Sequence, residues 1–264
     1  MKKNPNIDYI SKVENVSMED EWYEIADSSH FWFDWRINAF LKQVEYLGLS
    51  KSHPYKVIEI GCGEGILRKS IEKETNWIVD AADLNIAALE KVSPGKGKIL
   101  LYNIFDEDDS LIDSYDIVIL FDVLEHIEDT QEFIFSFLKH LKPGGYAFIN
   151  VPALNSFYSV YDKYMGHYRR YDKNSLIKEF DQEYLKILDI RYWGFFLLPV
   201  LAIRYCLLFF KDSADRKSII NSGFKPPSNF INNILKLTSR MELFLFNRPI
   251  SGSSLLLAGK KTIE

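Results

Sequence analysis

Between Val57 and Gly65 the chain reads VIEIGCGEG, an apolar run that ends on an acid and passes at once into three alternating glycines. A run this apolar suits a strand covered on both faces of a parallel sheet. The glycines let the backbone turn tightly and bring main-chain N–H groups against a ligand with no Cβ in the way. The order Glu59-x-Gly61-x-Gly63-x-Gly65 is not G-x-G-x-x-G, the spacing used by a pyrophosphate turn. A nucleotide-like ligand other than a dinucleotide is therefore expected.

Further apolar runs follow in the rhythm of strand–helix units: Trp77–Asp83, Ile99–Tyr102, Asp116–Asp122 and Tyr146–Val151, the last after a helix that stops at Lys142-Pro143-Gly144-Gly145. Tyr184–Tyr192 and Ser253–Gly259 complete a set of seven predicted strands. Asp83 stands twenty residues beyond Gly63, at a strand tip where a carboxylate can accept both hydroxyls of a ribose.

Taken in order, EIGCGEG, Asp83, YDIVILFDVLEHIED and LKPGGYAFINVP resemble the class I S-adenosylmethionine (SAM)-dependent methyltransferases, and the resemblance is dense over about the first 150 residues. It implies an α/β fold with a doubly wound, Rossmann-like sheet of seven strands, six parallel and the last antiparallel. The cofactor it implies is S-adenosylmethionine, with S-adenosylhomocysteine as product. Carried over by position, Glu59, Gly61, Cys62, Gly63 and Gly65 surround the methionine and ribose part. Asp83 holds the ribose hydroxyls, Leu84 lies beside the adenine, Asn103 and Ile104 meet its edge, and Phe121 and Asp122 border the methionine end. Many relatives carry Asp where this chain has Asn103, whose amide oxygen can still accept a hydrogen bond from the adenine amino group.

The expected organisation is an N-terminal helical lid over 1–50, a SAM-binding core over 51–192, an apolar helical insertion over 193–250 between the last two strands, and the final strand in 251–264. A chain of 264 residues that is 47% hydrophobic can bury one large core. Its net charge of −5 argues against a nucleic-acid-coating role. Two cysteines are too few for a disulfide framework, and MKKNPNIDYI lacks the apolar stretch of a signal peptide, so a cytoplasmic protein is expected.

Several segments carry candidate chemistry. Phe33, Ile37, Phe40, Val44 and Leu47 fall at helical spacing before Gly48, a helix that docks its aromatics on the core. On it, Arg36 either reaches the methionine carboxylate of the cofactor or lies on the surface. After the fifth strand comes Gly166-His-Tyr-Arg-Arg-Tyr171, polar and aromatic groups at the sheet edge where open α/β proteins bind ligands. His167 and Tyr168 are the candidate catalytic pair there, and Arg169, Arg170 and Tyr171 the candidate acceptor contacts. The alternative is a solvated loop with structural pairs to Asp162 and Asp172. His126 and Glu125 read as turn residues, and no His, Cys, Asp or Glu grouping has metal-ligand spacing, so no metal is expected.

The insertion begins FFLLPVLAIRYCLLFF, sixteen residues interrupted by Pro199 and Arg204, short of the roughly twenty needed to span a bilayer. A second helix is marked by Phe230, Ile234, Leu237, Met241 and Phe244. Residues 193–226 hold five basic and two acidic side chains. This span can form an apolar acceptor pocket, a homodimer interface or a peripheral membrane contact, or pack as ordinary core. The function expected is in-line methyl transfer to oxygen or carbon of a small-molecule, saccharide or lipid-linked acceptor, a quinone-like ring among them. A nucleotide-dependent oxidoreductase or epimerase and a non-catalytic SAM-fold module are the rival classes.

Overall fold

The computed structural model describes residues 4–13, 30–209 and 227–262. Eight strands form one sheet: β1 (Asp8–Tyr9), β2 (Lys56–Ile60), β3 (Ile78–Asp83), β4 (Ile99–Leu101), β5 (Tyr115–Phe121), β6 (Leu141–Pro152), β7 (Leu185–Trp193) and β8 (Ser254–Lys261). Their spatial order is β1-β4-β3-β2-β5-β6-β8-β7, and β8 runs antiparallel to both β6 and β7. β2 through β8 are the seven predicted strands. β1 is an addition that the sequence does not announce, since two residues are too few to show a period. It pairs parallel to β4, and the Ser11 hydroxyl just beyond it accepts the Asn103 N–H at 2.8 Å.

β6 starts five residues earlier than predicted, because the Lys142–Gly145 stretch stays in the strand through a register shift against β5. From β2 the chain winds outward through β3 and β4, then returns to β5 on the other side of β2. This reversal opens a crevice at the carboxyl ends of β2 and β5, where ligands of such sheets bind.

Successive side chains of a strand face opposite ways, and here both faces are covered. One core gathers Ile58, Val118, Leu120 and Ile149 against Phe133 and Phe137 of α4 (Thr130–His140). The other gathers Val57, Ile117, Ile119 and Phe148 against Trp35 and Phe40 of α1 (Phe31–Tyr46). The Phe40 ring stands edge-on to Trp77, Phe121 and Phe148, with centroids 5.0–6.0 Å apart. In the described part of the 1–50 segment, this helix is thus a layer of the core, with Trp35 and Phe40 fully buried.

α2 (Ile66–Glu74) and α3 (Ile86–Leu89) follow β2 and β3, and α5 (Val160–Tyr164) and α6 (Lys173–Glu179) lie between β6 and β7. In the insertion, α7 (Leu198–Phe209) and α8 (Asn229–Leu245) are the described helices. Lys211, Asp212, Asp215, Arg216, Lys217 and Lys225 lie outside the described residues.

Candidate active site at the carboxyl edge of the sheet

The loop after β2 is shaped by its glycines. Gly61, Gly63 and Gly65 all have positive φ, and a Cβ on Gly61 would come within 2.4 Å of the Val123 side chain. Any other residue at Gly61 meets both a steric clash and a strained backbone. The loop is held from the neighbouring strand end: Asp83 Oδ2 accepts the Gly63 N–H and Oδ1 accepts the Asn85 N–H, each at 2.8 Å. Burial pushes the Asp83 carboxyl up, while those main-chain donors pull it back. Leu84 is partly buried beside it, and Ile104 is buried beyond β4. Asn103 closes a turn, its Oδ1 accepting the Phe105 N–H at 3.1 Å, which leaves one lone pair of that oxygen for a ligand. Cys62 is buried, and burial pushes its thiol well up, so it is not a nucleophile.

Arg36 projects from α1 to the end of β5, with Nη1 2.5 Å from Asp122 Oδ2. Its guanidinium lies over the rings of Phe33 and Phe121, and its buried Nε has no hydrogen-bond partner among the described residues. Asp122 itself has φ 58°, a left-handed backbone uncommon outside glycine. Its other oxygen accepts from Asn150 Nδ2 at 2.7 Å, and Asn150 Oδ1 accepts from Trp193 Nε1 at 2.8 Å. The chain Arg36–Asp122–Asn150–Trp193 thereby locks α1, β5, β6 and β7 together at the crevice. Asn150, absent from the sequence-predicted set, carries no motif signal because its role depends on strand neighbours.

Glu59 is buried, its Oε2 is unpartnered among the described residues, and desolvation raises its pKa to about 8 despite nearby Arg36 and Arg68. The folded state therefore keeps a proton that the unfolded chain releases near pH 4.5. This contribution to stability is fully present below 4.5 and is lost as pH rises through 8. Urea denaturation of ligand-free wild type and Glu59→Gln between pH 5.5 and 7 is expected to show wild type losing ~1.4 kcal/mol per pH unit relative to the variant. Parallel pH profiles would exclude a protonated Glu59.

Past Asp122 the chain makes a tight turn at Leu124–His126. The Glu125 carbonyl accepts the Tyr168 N–H at 2.8 Å, which brings the 166–171 segment back to the strand ends. There Asp162 Oδ1 faces His167 Nδ1 at 3.1 Å and Arg170 Nε at 2.7 Å. Asp162 Oδ2 accepts from the N–H and hydroxyl of Ser159. Burial pushes the Asp162 carboxyl up, but the His167 hydrogen bond and the Arg170 guanidinium outweigh it and hold the acid at about 2. The His126 ring stands edge-on to His167 with centroids 4.7 Å apart. Burial, followed by the repulsion of His167, lowers its pKa to about 3, so it places no charge beside its neighbour at neutral pH.

The segment does not act as one acceptor-facing surface. Arg170 is 6% exposed and committed to Asp162 and the Ala153 carbonyl, and Tyr171 is a core side chain. These two expected acceptor contacts are therefore structural: an ion pair drawn inward and a ring in the main core. The Arg–Asp pairing exists as the sequence alternative had it, but buried instead of solvated, while Asp172 caps α6. Arg169 reaches the Glu128 carbonyl at 2.7 Å, and Tyr168 is half-exposed. The fold also places one ligating atom from each of Glu125, His126 and His167 within 4.8 Å of the others. That set can hold a cation, a juxtaposition invisible in sequence because His167 arrives from another loop.

A doubly wound sheet with a glycine turn after its first core strand, an acid at the tip of the next and a crevice at the switch point defines a class of nucleotide-type ligand binders. Within it, this chain belongs to the methyltransferase-domain family, whose sequence profile matches residues 32–189. It is similar to the ubiquinone biosynthesis O-methyltransferase of Vibrio atlanticus, 28% identical over 158 residues covering 57% of this chain and 65% of that protein. The protein of that name from Hydrogenovibrio crunogenus is 30% identical over 169 residues, covering 61% of this chain and 67% of that protein. Of the first three curated relatives it matches, the chain spans 65%, 34% and 44% of their length. Its fold is similar to that of Haemonchus contortus phosphoethanolamine N-methyltransferase 2 in complex with S-adenosylmethionine, with a TM-score of 0.52 at 16% identity over 85% of this chain and 52% of the other.

The residues present fit the cofactor of this family. S-adenosylmethionine brings a ribose diol, a cationic sulfonium and an amino-acid end. The crevice offers the Asp83 carboxylate, the unpartnered acid oxygen of Glu59, the Asp122 carboxylate and the spare N–H of Arg36.

Proposed function

We propose that this chain transfers a methyl group from S-adenosylmethionine to a hydroxyl oxygen of a small, largely apolar acceptor such as a hydroxylated quinone-like ring. The observation that carries the reading is the Asp162–His167 pair beside the crevice. A buried carboxylate on Nδ1 holds the imidazole in the tautomer that leaves Nε2 free to accept a proton. The bound cofactor supplies an electrophilic methyl carbon. The protein must then align the acceptor, exclude water and take the hydroxyl proton, which is the part assigned to His167. Asp162 and Arg170 position His167, Asp83 holds the ribose, and Arg36 with Asp122 and Glu59 orders the amino-acid end.

The acceptor class is supported by a groove of about 550 Å³ lined by Leu154, Phe157, Phe195, Leu198, Pro199 and Ala202. Its 154–157 wall belongs to the loop whose Asn155 Oδ1 and Tyr158 hydroxyl bond the backbone of Arg170 and His167. An apolar lining favours a ring with hydrocarbon substituents over a saccharide, and the names of the two relatives favour oxygen as the atom methylated.

A thermal-shift screen is expected to show stabilisation by S-adenosylmethionine and S-adenosylhomocysteine and none by NAD. Labelled methyl should then appear on a catechol or hydroquinone oxygen. Stabilisation by NAD would favour the oxidoreductase reading. Label on nitrogen or carbon would overturn O-methylation, and cofactor binding with no transfer to any acceptor in cell extract would favour a non-catalytic module.

A further inference from the structure

The 229–245 helix α8 leaves its larger apolar face uncovered. Its inward face carries fully buried Ser239 and Glu242 together with Leu235 and Leu243, which pack on the core, and the Glu242 carboxylate accepts the N–H groups of Gly194 and Phe196 at 2.7 and 2.9 Å. Its outward face carries Phe230, Ile234, Leu237, Met241, Phe244 and Leu245, all exposed, with Phe230 at 75% and Phe244 at 87%. At 100° per residue these six fall within about a third of the helix circumference, one continuous apolar stripe. A contiguous exposed apolar surface of this kind marks a docking site. Helix α7 of the same span exposes Val200 and Ile203 as well.

Charge selects the occupant. Residues 193–250 carry eight basic and three acidic side chains, +5 in a chain of net −5, so the remainder is −10. Among the described residues of that span the one acid is Glu242, which is buried, while Lys236 and Arg240 lie on the helix and Arg248, beyond its end, is paired with Asp189. A second copy related by a two-fold axis through this face would set Lys236 and Arg240 against their own equivalents, with no exposed acid among the described residues of the span to meet them. An anionic lipid surface meets both features at once, acyl chains for the stripe and headgroups for the cations. No described helix is long and apolar enough to cross a membrane, so the contact lies in the interface plane.

We infer that α8, with the outer side of α7, docks this protein peripherally on anionic phospholipid. The inference goes beyond the proposed chemistry, because docking needs neither cofactor nor acceptor. It also gives the apolar groove a source, since α7 supplies Leu198, Pro199 and Ala202 to that groove and Val200 and Ile203 to the docking face.

Flotation of the full chain with phosphatidylcholine vesicles, with and without about one third phosphatidylglycerol, tests it. Wild type is expected to float with the anionic vesicles and to be released by salt. Leu237→Glu/Phe244→Glu should abolish flotation, and Lys236→Glu/Arg240→Glu should weaken it roughly tenfold or more. Thermal midpoints of the variants, both made at surface positions, are expected to match wild type and so establish that they are folded. Wild type remaining unbound on anionic vesicles would overturn the inference, as would flotation that survives the Leu237/Phe244 variant. A dimer in sedimentation velocity that the same variant dissolves would reassign the face to a second copy.

Discussion

Replacing His167 with alanine is expected to lower kcat on the real acceptor by about 10²–10⁴-fold, the range supplied by a positioned general base, with little change in affinity for S-adenosylmethionine. The fold should tolerate the change. Asp162 keeps its bonds from Arg170 and Ser159, so no buried carboxylate is stranded when the imidazole goes. Asp162→Asn keeps the shape but replaces the acceptor of the Nδ1 proton with an amide, and should lower kcat in the same direction by disturbing the tautomer. Asp162 acts through His167, so Asp162→Asn should cost little further turnover when added to His167→Ala. Full turnover in His167→Ala would leave alignment alone as the mechanism. A loss confined to KM would make His167 a binding group.

Replacing Asp83 with alanine is expected to weaken binding of both S-adenosylmethionine and S-adenosylhomocysteine by roughly ten- to a hundredfold, measured by calorimetry. The estimate is the cost, about 1.5–3 kcal/mol, of losing a charged acceptor to buried hydroxyls. The structure adds a second contribution. The same carboxylate tethers the Gly63 and Asn85 N–H groups, so alanine also releases the turn that faces the ligand. Asp83→Asn separates the two, since its amide keeps one oxygen acceptor and loses the charge. Binding that is equally weak in Asn and Ala would show that the charge matters most. Unchanged affinity in Asp83→Ala would remove Asp83 from the cofactor site.

The sheet was legible in the chain because its signals are local. Short β-branched runs such as VIEI and DIVILF, bounded by turn residues, suit strands buried on both faces, the glycines of the first turn sit at positions where the backbone needs positive φ, and Asp83 follows at the spacing of the second strand tip. Only tertiary structure could decide what those pieces meet. Arg36 and Asp122 are 86 residues apart, and their pairing depends on which way α1 crosses the sheet. Glu125, His126 and His167 converge because one main-chain bond folds a later loop onto an earlier turn. Arg170 and Tyr171 looked like ligand contacts by composition, yet whether a polar side chain faces a pocket or a core is set by neighbours distant in sequence. The stripe on α8 shows the same limit. Helical periodicity determines that Phe230, Ile234, Leu237, Met241 and Phe244 share one face, and says nothing about which side of the helix the protein covers. Here Glu242 binds the Gly194 and Phe196 N–H groups, Leu235 and Leu243 pack on the core beside it, and the larger apolar face is left outward.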